Sequence, residues 1–211
     1  MAEPSQGPIK SPVRSDALRA DSLPLKPEPA PGVAAPTTAD PAPQMLVIRD
    51  ALPADADQIA AIWNPTIRDT VITFWPVERG CDEIAAMITG RQALGHGFFV
   101  AEIANRICGF ASYSQFRSGG GYAHSMEHTI HLSPLQKGIG LGRKMMLHLE
   151  AHAKSSGAKL MIGAITASNS ASISFHRKLG YEQWGYLPKA GRKFDQWHDL
   201  VLMGRDLWQN S

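Results

Sequence analysis

Leu132-Ser133-Pro134-Leu135-Gln136-Lys137-Gly138-Ile139-Gly140-Leu141-Gly142-Arg143 joins an apolar strand to an amphipathic helix through a loop with glycine at 138, 140 and 142. Glycine tolerates positive φ and lets a backbone come close to a ligand. The helix that follows opens with unpaired N–H groups and the positive end of its dipole. A strand, a basic glycine loop and a helix start together form a cradle for phosphate. Two common nucleotide loops do not fit it. There is no G-x-x-x-x-G-K-[ST], and the third glycine arrives one residue too early for G-x-G-x-x-G. No acidic residue closes a second strand about 20 residues later, as a dinucleotide fold requires.

Outward from the loop, the periodicities order the rest. Met45–Arg49 reads as a strand. Pro53 and Asp55 start a helix with Ile59, Ile62 and Trp63 at helical spacing, and a second helix over Asp82–Leu94 turns Ile84, Met87 and Ile88 inward. Phe98–Ala101 and Ile107–Tyr113 form a hairpin turning near Ala104-Asn105, and His124–Leu132 is the strand that enters the loop. Ser118-Gly119-Gly120-Gly121 is a mobile loop. After the glycines come a helix over Gly140–Ser156 with Leu141, Met145, Leu149 and Ala153 near one face, and a strand at Lys159–Ile165. Asn169 caps a helix running to Leu179, and Tyr181–Tyr186 and His198–Met203 close the domain as strands. The order βααβββαβαββ implies a mixed α/β domain with a mainly antiparallel sheet, helices on both faces and one parallel βαβ unit around the loop.

Composition divides the chain. Residues 1–44 hold ten of the fifteen prolines, no aromatic residue, and four basic against five acidic side chains. Such a segment cannot bury enough surface to offset its ordering entropy, so it is expected to be a disordered extension. It carries neither the apolar run of a signal peptide nor the basic surplus of an arm for nucleic acid. Residues 45–211 form one domain of ordinary size with a mild positive surplus that suits an anionic cofactor. No run approaches the ~20 apolar residues of a membrane span. Cys81 and Cys108 offer no disulfide framework, Cys108 reads as a small core residue, and a cytoplasmic location fits. The histidines lack metal-ligand spacing: His128 and His131 point to opposite faces of a strand, and His148 and His152 have no third ligand. The five tryptophans read as core or interface, without a basic patch for nucleic acid.

Lys137-Gly138-Ile139-Gly140-Leu141-Gly142 resembles the [RQ]-x-x-G-x-[GA] pyrophosphate loop of the GNAT acetyltransferases, with lysine in the first place. The element order is also that of the GNAT fold. Four segments narrow the resemblance: Ile48–Ala51, Ser125–Ile130, Asn169–Tyr181 and Gly191–Leu200 look like those of the phosphinothricin and methionine sulfoximine/sulfone N-acetyltransferases. The resemblance covers residues 45–207. It implies acetyl-CoA as co-substrate and the amino group of a small amino acid or analogue as acceptor, in an enzyme that is a homodimer without a metal and without a nucleic-acid or membrane partner. Carried over by motif, Lys137, Gly138, Ile139, Gly140, Leu141, Gly142 and Arg143 would hold the pyrophosphate. Ile130, His131 and Leu132 would pair with the pantetheine arm, and Asn169 would bond the cofactor near the thioester. Arg117, Ser118, Gly119, Glu127, His128 and Thr129 would line the acceptor site. Relatives tend to read V-E-x-S-V-Y where this chain has Met126-Glu127-His128-Thr129-Ile130-His131, so histidine replaces the tyrosine.

The residues carry plausible chemistry of their own. Glu127, among neutral strand neighbours, can take the ammonium proton directly or through water, or else stand in a salt bridge. Alternation places Met126, His128, Ile130 and Leu132 toward a helix and Glu127, Thr129 and His131 toward the reaction cleft. A backbone N–H near the pairing residues would meet the oxyanion. His176 stands where many GNAT enzymes have a tyrosine acid; it is either an acid for the leaving thiolate or a structural hydrogen-bonding group. Arg117 is either a fork for an α-carboxylate or a solvated loop arginine. Lys193 and Phe194 would close the pocket from the last hairpin. The competing readings are a GNAT enzyme acting on a polyamine, an aminoglycoside or a protein N-terminus, and an acyl-CoA-binding domain without turnover.

Overall fold

The structure is a computed structural model and describes residues 45–136 and 140–209. The extension expected over residues 1–44 lies outside the described residues, as do Lys137, Gly138 and Ile139 of the glycine loop. The elements, in chain order, are β1 (Leu46–Asp50), α1 (Ala56–Asp69), α2 (Cys81–Ala93), β2 (Phe98–Ile103), β3 (Arg106–Gln115), β4 (Ser125–Leu132), α3 (Leu141–Ser155), β5 (Leu160–Thr166), α4 (Ser170–Lys178), β6 (Glu182–Lys193) and β7 (Gln196–Asp206). The seven strands form one sheet in the order β1-β2-β3-β4-β5-β7-β6, antiparallel except for the parallel pair β4–β5.

Strand alternation builds a core on each face. On β2, Phe98 and Val100 face α1 and α2, joining Ile59, Trp63, Ile67, Ile84 and Ile88. Phe99 and Ala101 face α3, joining Met145, Met146, Leu149 and Ala153. On β3 the alternation slips, because the register passes from Glu102↔Ile107 to Ala101↔Gly109 and leaves Cys108 as an extra residue. This bulge puts Ile107 and Phe110, an odd step apart, in the same core, while Cys108 is buried in the other. The β2–β3 turn has Ala104 and Asn105 both at positive φ, the conformation of a tight two-residue hairpin.

The last hairpin is longer than expected. Expected to end at Tyr186, β6 instead continues through Pro188 and Gly191 to Lys193, with register irregularities at Gln183/Gly185 and Leu187/Gly191. β7 likewise runs from Gln196 to Asp206. The extra length carries the hairpin tip, Lys193 to Gln196, to the C-terminal end of α1.

Candidate active site

β4 and β5 begin as neighbours and then part. They pair only at Ser125↔Leu160, Met126↔Met161 and Glu127↔Ile162. Beyond that point β4 stays bonded to β3 through Leu132, and β5 stays bonded to β7 through Thr166. The β4 backbone groups that point away from β3 over His128–Leu132 therefore face open space. That space is a cleft of about 560 Å³, lined by Glu127–His131, Gly163–Thr166, Asn169, Ser172, His176 and a wall over Ile72–Pro76.

A histidine pair sits at the fork. His128 and His176 are both buried and stack with ring centroids 5.0 Å apart, their Nε2 atoms 3.2 Å from each other. The Nδ1–H of His176 donates to the Ser172 carbonyl at 2.7 Å. A neutral His176 then accepts at Nε2 from the Nε2–H of His128, and the Nδ1 of His128 is left buried without a partner. Burial pushes His128 down to about 3, with the neighbouring ring adding to it, and lowers His176 as well. The pair needs glycine opposite: a Cβ on Gly163 would come within 2.8 Å of His128 Nε2. Both nitrogens of His176 are thus engaged inside the protein, which leaves it no free N–H to offer a thiolate.

Glu127 is half-buried at the last paired position before the fork. Burial pushes its carboxyl above the usual range, and the positive charge of Arg91 opposes that rise. Arg91 comes from α2 and donates to the buried hydroxyl of Ser112. Ser112 pairs with Thr129 and Ser114 with Glu127, so Arg91 stands over the cross-strand diagonal neighbour of the carboxylate. Burial, with repulsion from Arg79, pulls the Arg91 guanidinium down to about 10, still cationic at neutral pH. Arg79 lies between two rings, its Cζ 4.7 Å from the centre of Trp63 and 3.9 Å from that of Trp75. Its backbone is clamped by the Asn64 amide, which donates to the Arg79 carbonyl and accepts from its N–H, both at 3.0 Å.

The expected site residues fall into three groups. Glu127, His128, Thr129, Ile130, His131, Asn169 and His176 all line the cleft. Leu132 and the start of α3 lie beyond its lining. Gly140 is left-handed at φ 74°, and Gly142 is packed so that a Cβ would touch Leu132 and Phe175 at 3.2 Å. Arg117, Ser118 and Gly119 are exposed on the loop after β3, away from the cleft lining. There Gln115 Nε2 donates to the carbonyls of Arg117 and Gly119, and the Arg117 guanidinium leans on Phe116. The face of β4 expected to open on the cleft does so at Glu127, Thr129 and His131, but its far end is also packed against α1. His131 packs against Trp63 and Phe110 with centroids 5.6 and 5.3 Å away, and burial takes it down to about 4. Asn169 caps α4 by accepting from the Ser172 N–H at 3.1 Å, which leaves its amide NH2 as a donor for the cleft.

Comparison with known proteins agrees with this geometry. Residues 59–181 match the acetyltransferase (GNAT) family. The L-methionine sulfoximine/L-methionine sulfone acetyltransferase of Salmonella typhimurium is 33% identical over 79% of this chain and 97% of its own length. The phosphinothricin N-acetyltransferase of Alcaligenes faecalis is 30% identical over 76% of this chain and 81% of its own. The structure of yncA from Salmonella typhimurium, solved with its cofactor acetyl-CoA, superposes with a TM-score of 0.75 at 32% identity, over 79% of this chain and 96% of that one. A sheet forked between its parallel strands, a glycine-flanked helix start beside the fork and the sequence match over most of the domain lead to one conclusion: the chain belongs to the GNAT family of acetyl-CoA-dependent N-acetyltransferases.

Proposed function

We propose that this enzyme acetylates the amino group of a small amino acid or analogue, of the methionine sulfone, methionine sulfoximine or phosphinothricin type, with Glu127 as the general base. The observation that carries the reading is the position of Glu127: a carboxylate of raised proton affinity at the fork, where a nucleophile entering the cleft meets the free edge of β4. The relatives acting on such acceptors support the substrate class.

The chain's own groups fit acetyl-CoA. The unpaired β4 edge over Ile130, His131 and Leu132 can take the pantetheine arm as an added strand, and the Asn169 amide can donate to it. Gly140, Leu141, Gly142 and Arg143 supply the helix start for the pyrophosphate, and the motif adds Lys137, Gly138 and Ile139, which lie outside the described residues. When bound, acetyl-CoA supplies an activated acetyl group and a thiolate that leaves readily. Glu127 accepts the ammonium proton, directly or through one water, and frees the amine lone pair. The β4 N–H groups facing the cleft meet the carbonyl oxygen as its charge develops. Arg91 favours the ionised form of Glu127, opposing the rise that burial imposes. The His128–His176 pair holds the fork open and stays neutral. A second molecule is proposed to pack on the β6–β7 hairpin, where Trp184, Tyr186, Phe194 and Trp197 are exposed. Light scattering giving a monomer mass would refute that dimer. Two free cysteines and an acetyl-CoA requirement fit the cytoplasm.

The test is a panel of amines supplied with acetyl-CoA and read by thiol release: methionine sulfone, methionine sulfoximine, phosphinothricin and spermidine. Turnover confined to the zwitterionic acceptors is expected. Turnover of spermidine alone would overturn the substrate class.

A further inference from the structure

The wall of the cleft over Ile72–Pro76 has no regular secondary structure, so its position must come from side chains elsewhere. Most of those ties converge from the last hairpin. The Lys193 ammonium is buried and donates to the carbonyl of Ile67, at the C-terminal end of α1, at 2.5 Å, and to the carbonyl of Thr73 at 2.8 Å. Among the described residues it has no carboxylate partner within salt-bridge distance. The Phe74 ring lies flat against Gly191, where a Cβ would come within 2.1 Å of it, and stacks on His198 with centroids 5.9 Å apart. A separate tie comes from β5, where the Thr166 hydroxyl donates to the Val71 carbonyl at 2.6 Å.

We infer that Lys193 is a positioning residue for the acceptor half of the cleft: its ammonium latches the Thr73–Trp75 wall to the β6–β7 hairpin, and this latch sets acceptor affinity. A buried lysine satisfied by two main-chain carbonyls from separate segments fixes those segments relative to each other more firmly than loop residues can fix themselves. Glycine at 191 and the stacked His198 complete a socket shaped for Phe74. The wall lines the same cleft as Glu127 and Thr129, and as Ile130, His131 and Asn169 proposed for the pantetheine arm, whereas the helix start at Gly140–Arg143 does not line it. The wall's placement is assigned to the amine, and the two KM values below separate that from an effect on the coenzyme. The inference rests on the acetyltransferase reading above, and the latch is separately visible in backbone exchange.

Two variants test it. Lys193→Met removes the donor, and Gly191→Ala pushes Phe74 from its socket while leaving Lys193 intact. In each, amide hydrogen exchange over Val71–Trp75 is expected to accelerate on the order of tenfold, with β4 and β5 exchange unchanged. With the acceptor that the parent enzyme turns over fastest, KM for that amine is expected to rise about tenfold, as if the competent arrangement fell to about a tenth of the population. KM for acetyl-CoA and kcat at saturating amine should stay near the parent values. Unchanged exchange over Val71–Trp75 in Lys193→Met would overturn the latch itself. Faster exchange with equal rises in both KM values would overturn its assignment to the acceptor. Absence of turnover by the parent with every amine tested would refute the acceptor class and leave the exchange result to decide the latch.

Discussion

Removing Arg91 should move the acidic limb of the pH–rate profile upward. Arg91 bonds Ser112, and Ser112 is the cross-strand diagonal neighbour of Glu127. Diagonal neighbours on one face stand about 7 Å apart. If that diagonal spacing is taken as the charge separation, two unit charges at about 7 Å and an effective dielectric near 20 attract by about 2.4 kcal/mol. Glu127 is only half-buried and opens on the cleft, so solvent screening leaves only part of this attraction. The sign is fixed by the chemistry: Glu127 accepts a proton only when ionised, and the neighbouring cation favours the ionised form. In Arg91→Met the carboxylate protonates at higher pH, so kcat/KM for the amine should fall most at mildly acidic pH and recover in alkali. Arg91→Lys, which keeps the charge, should retain most of the parental profile. The assay is kcat/KM for the best acceptor between pH 5.5 and 9.5 at saturating acetyl-CoA. An acidic limb in Arg91→Met that coincides with the parent's would refute the electrostatic link between Arg91 and the base.

Two further outcomes concern the histidines. Gly163→Ala places a methyl group within 2.8 Å of His128 Nε2 and drives that ring from His176, leaving a buried N–H without a partner. The expected cost is about 1–3 kcal/mol, a melting temperature several degrees lower, accompanied by reduced kcat/KM; an unchanged melting temperature would count against the packed pair. Burial holds His128 down to about 3 and His131 down to about 4, against 6.5 in the unfolded chain. Between those values the unfolded chain binds more protons, so stability is full above pH 6.5 and declines as pH falls, by up to about 2 kcal/mol per histidine at pH 5. Urea midpoints at pH 7 and pH 5 should show this loss, and His131→Phe should lessen it. An identical pH slope in that variant would exclude His131 as a contributor.

Much of this site could be read along the chain because its parts are local. The strand into the glycine loop, the helix after it and the Asn169 cap each obey a short-range rule, and each appears where its rule puts it. The basic groups near Glu127 follow a longer logic. Arg117, offered by the resemblance as a fork for an α-carboxylate, is exposed on its loop. Arg91 held a usable signal: it lies seven residues after Ile84 and three after Ile88, on the buried face of α2, where a cation demands a partner. Arg79 and Trp75 come from the irregular segment between α1 and α2, where no periodicity applies, and meet Trp63 of α1 only in the folded chain. The His128–His176 bond joins residues 48 apart in sequence, so only the folded sheet reveals it. The length of β6 was hidden because its glycines and proline mark breaks in an ordinary strand, whereas here they sit at register irregularities.

The role of Glu127 is tested most directly by Glu127→Gln, which keeps the shape of the side chain and removes its basicity. Isothermal titration should give an acetyl-CoA affinity equal to the parent's, because the proposed role has the carboxylate act on the incoming amine and not on the coenzyme. At pH 7.5, kcat for the best acceptor should fall by about 10² or more, the share of the rate a positioned base supplies. Turnover by Glu127→Gln close to the parental rate, with acetyl-CoA binding intact, would contradict general-base catalysis at the fork.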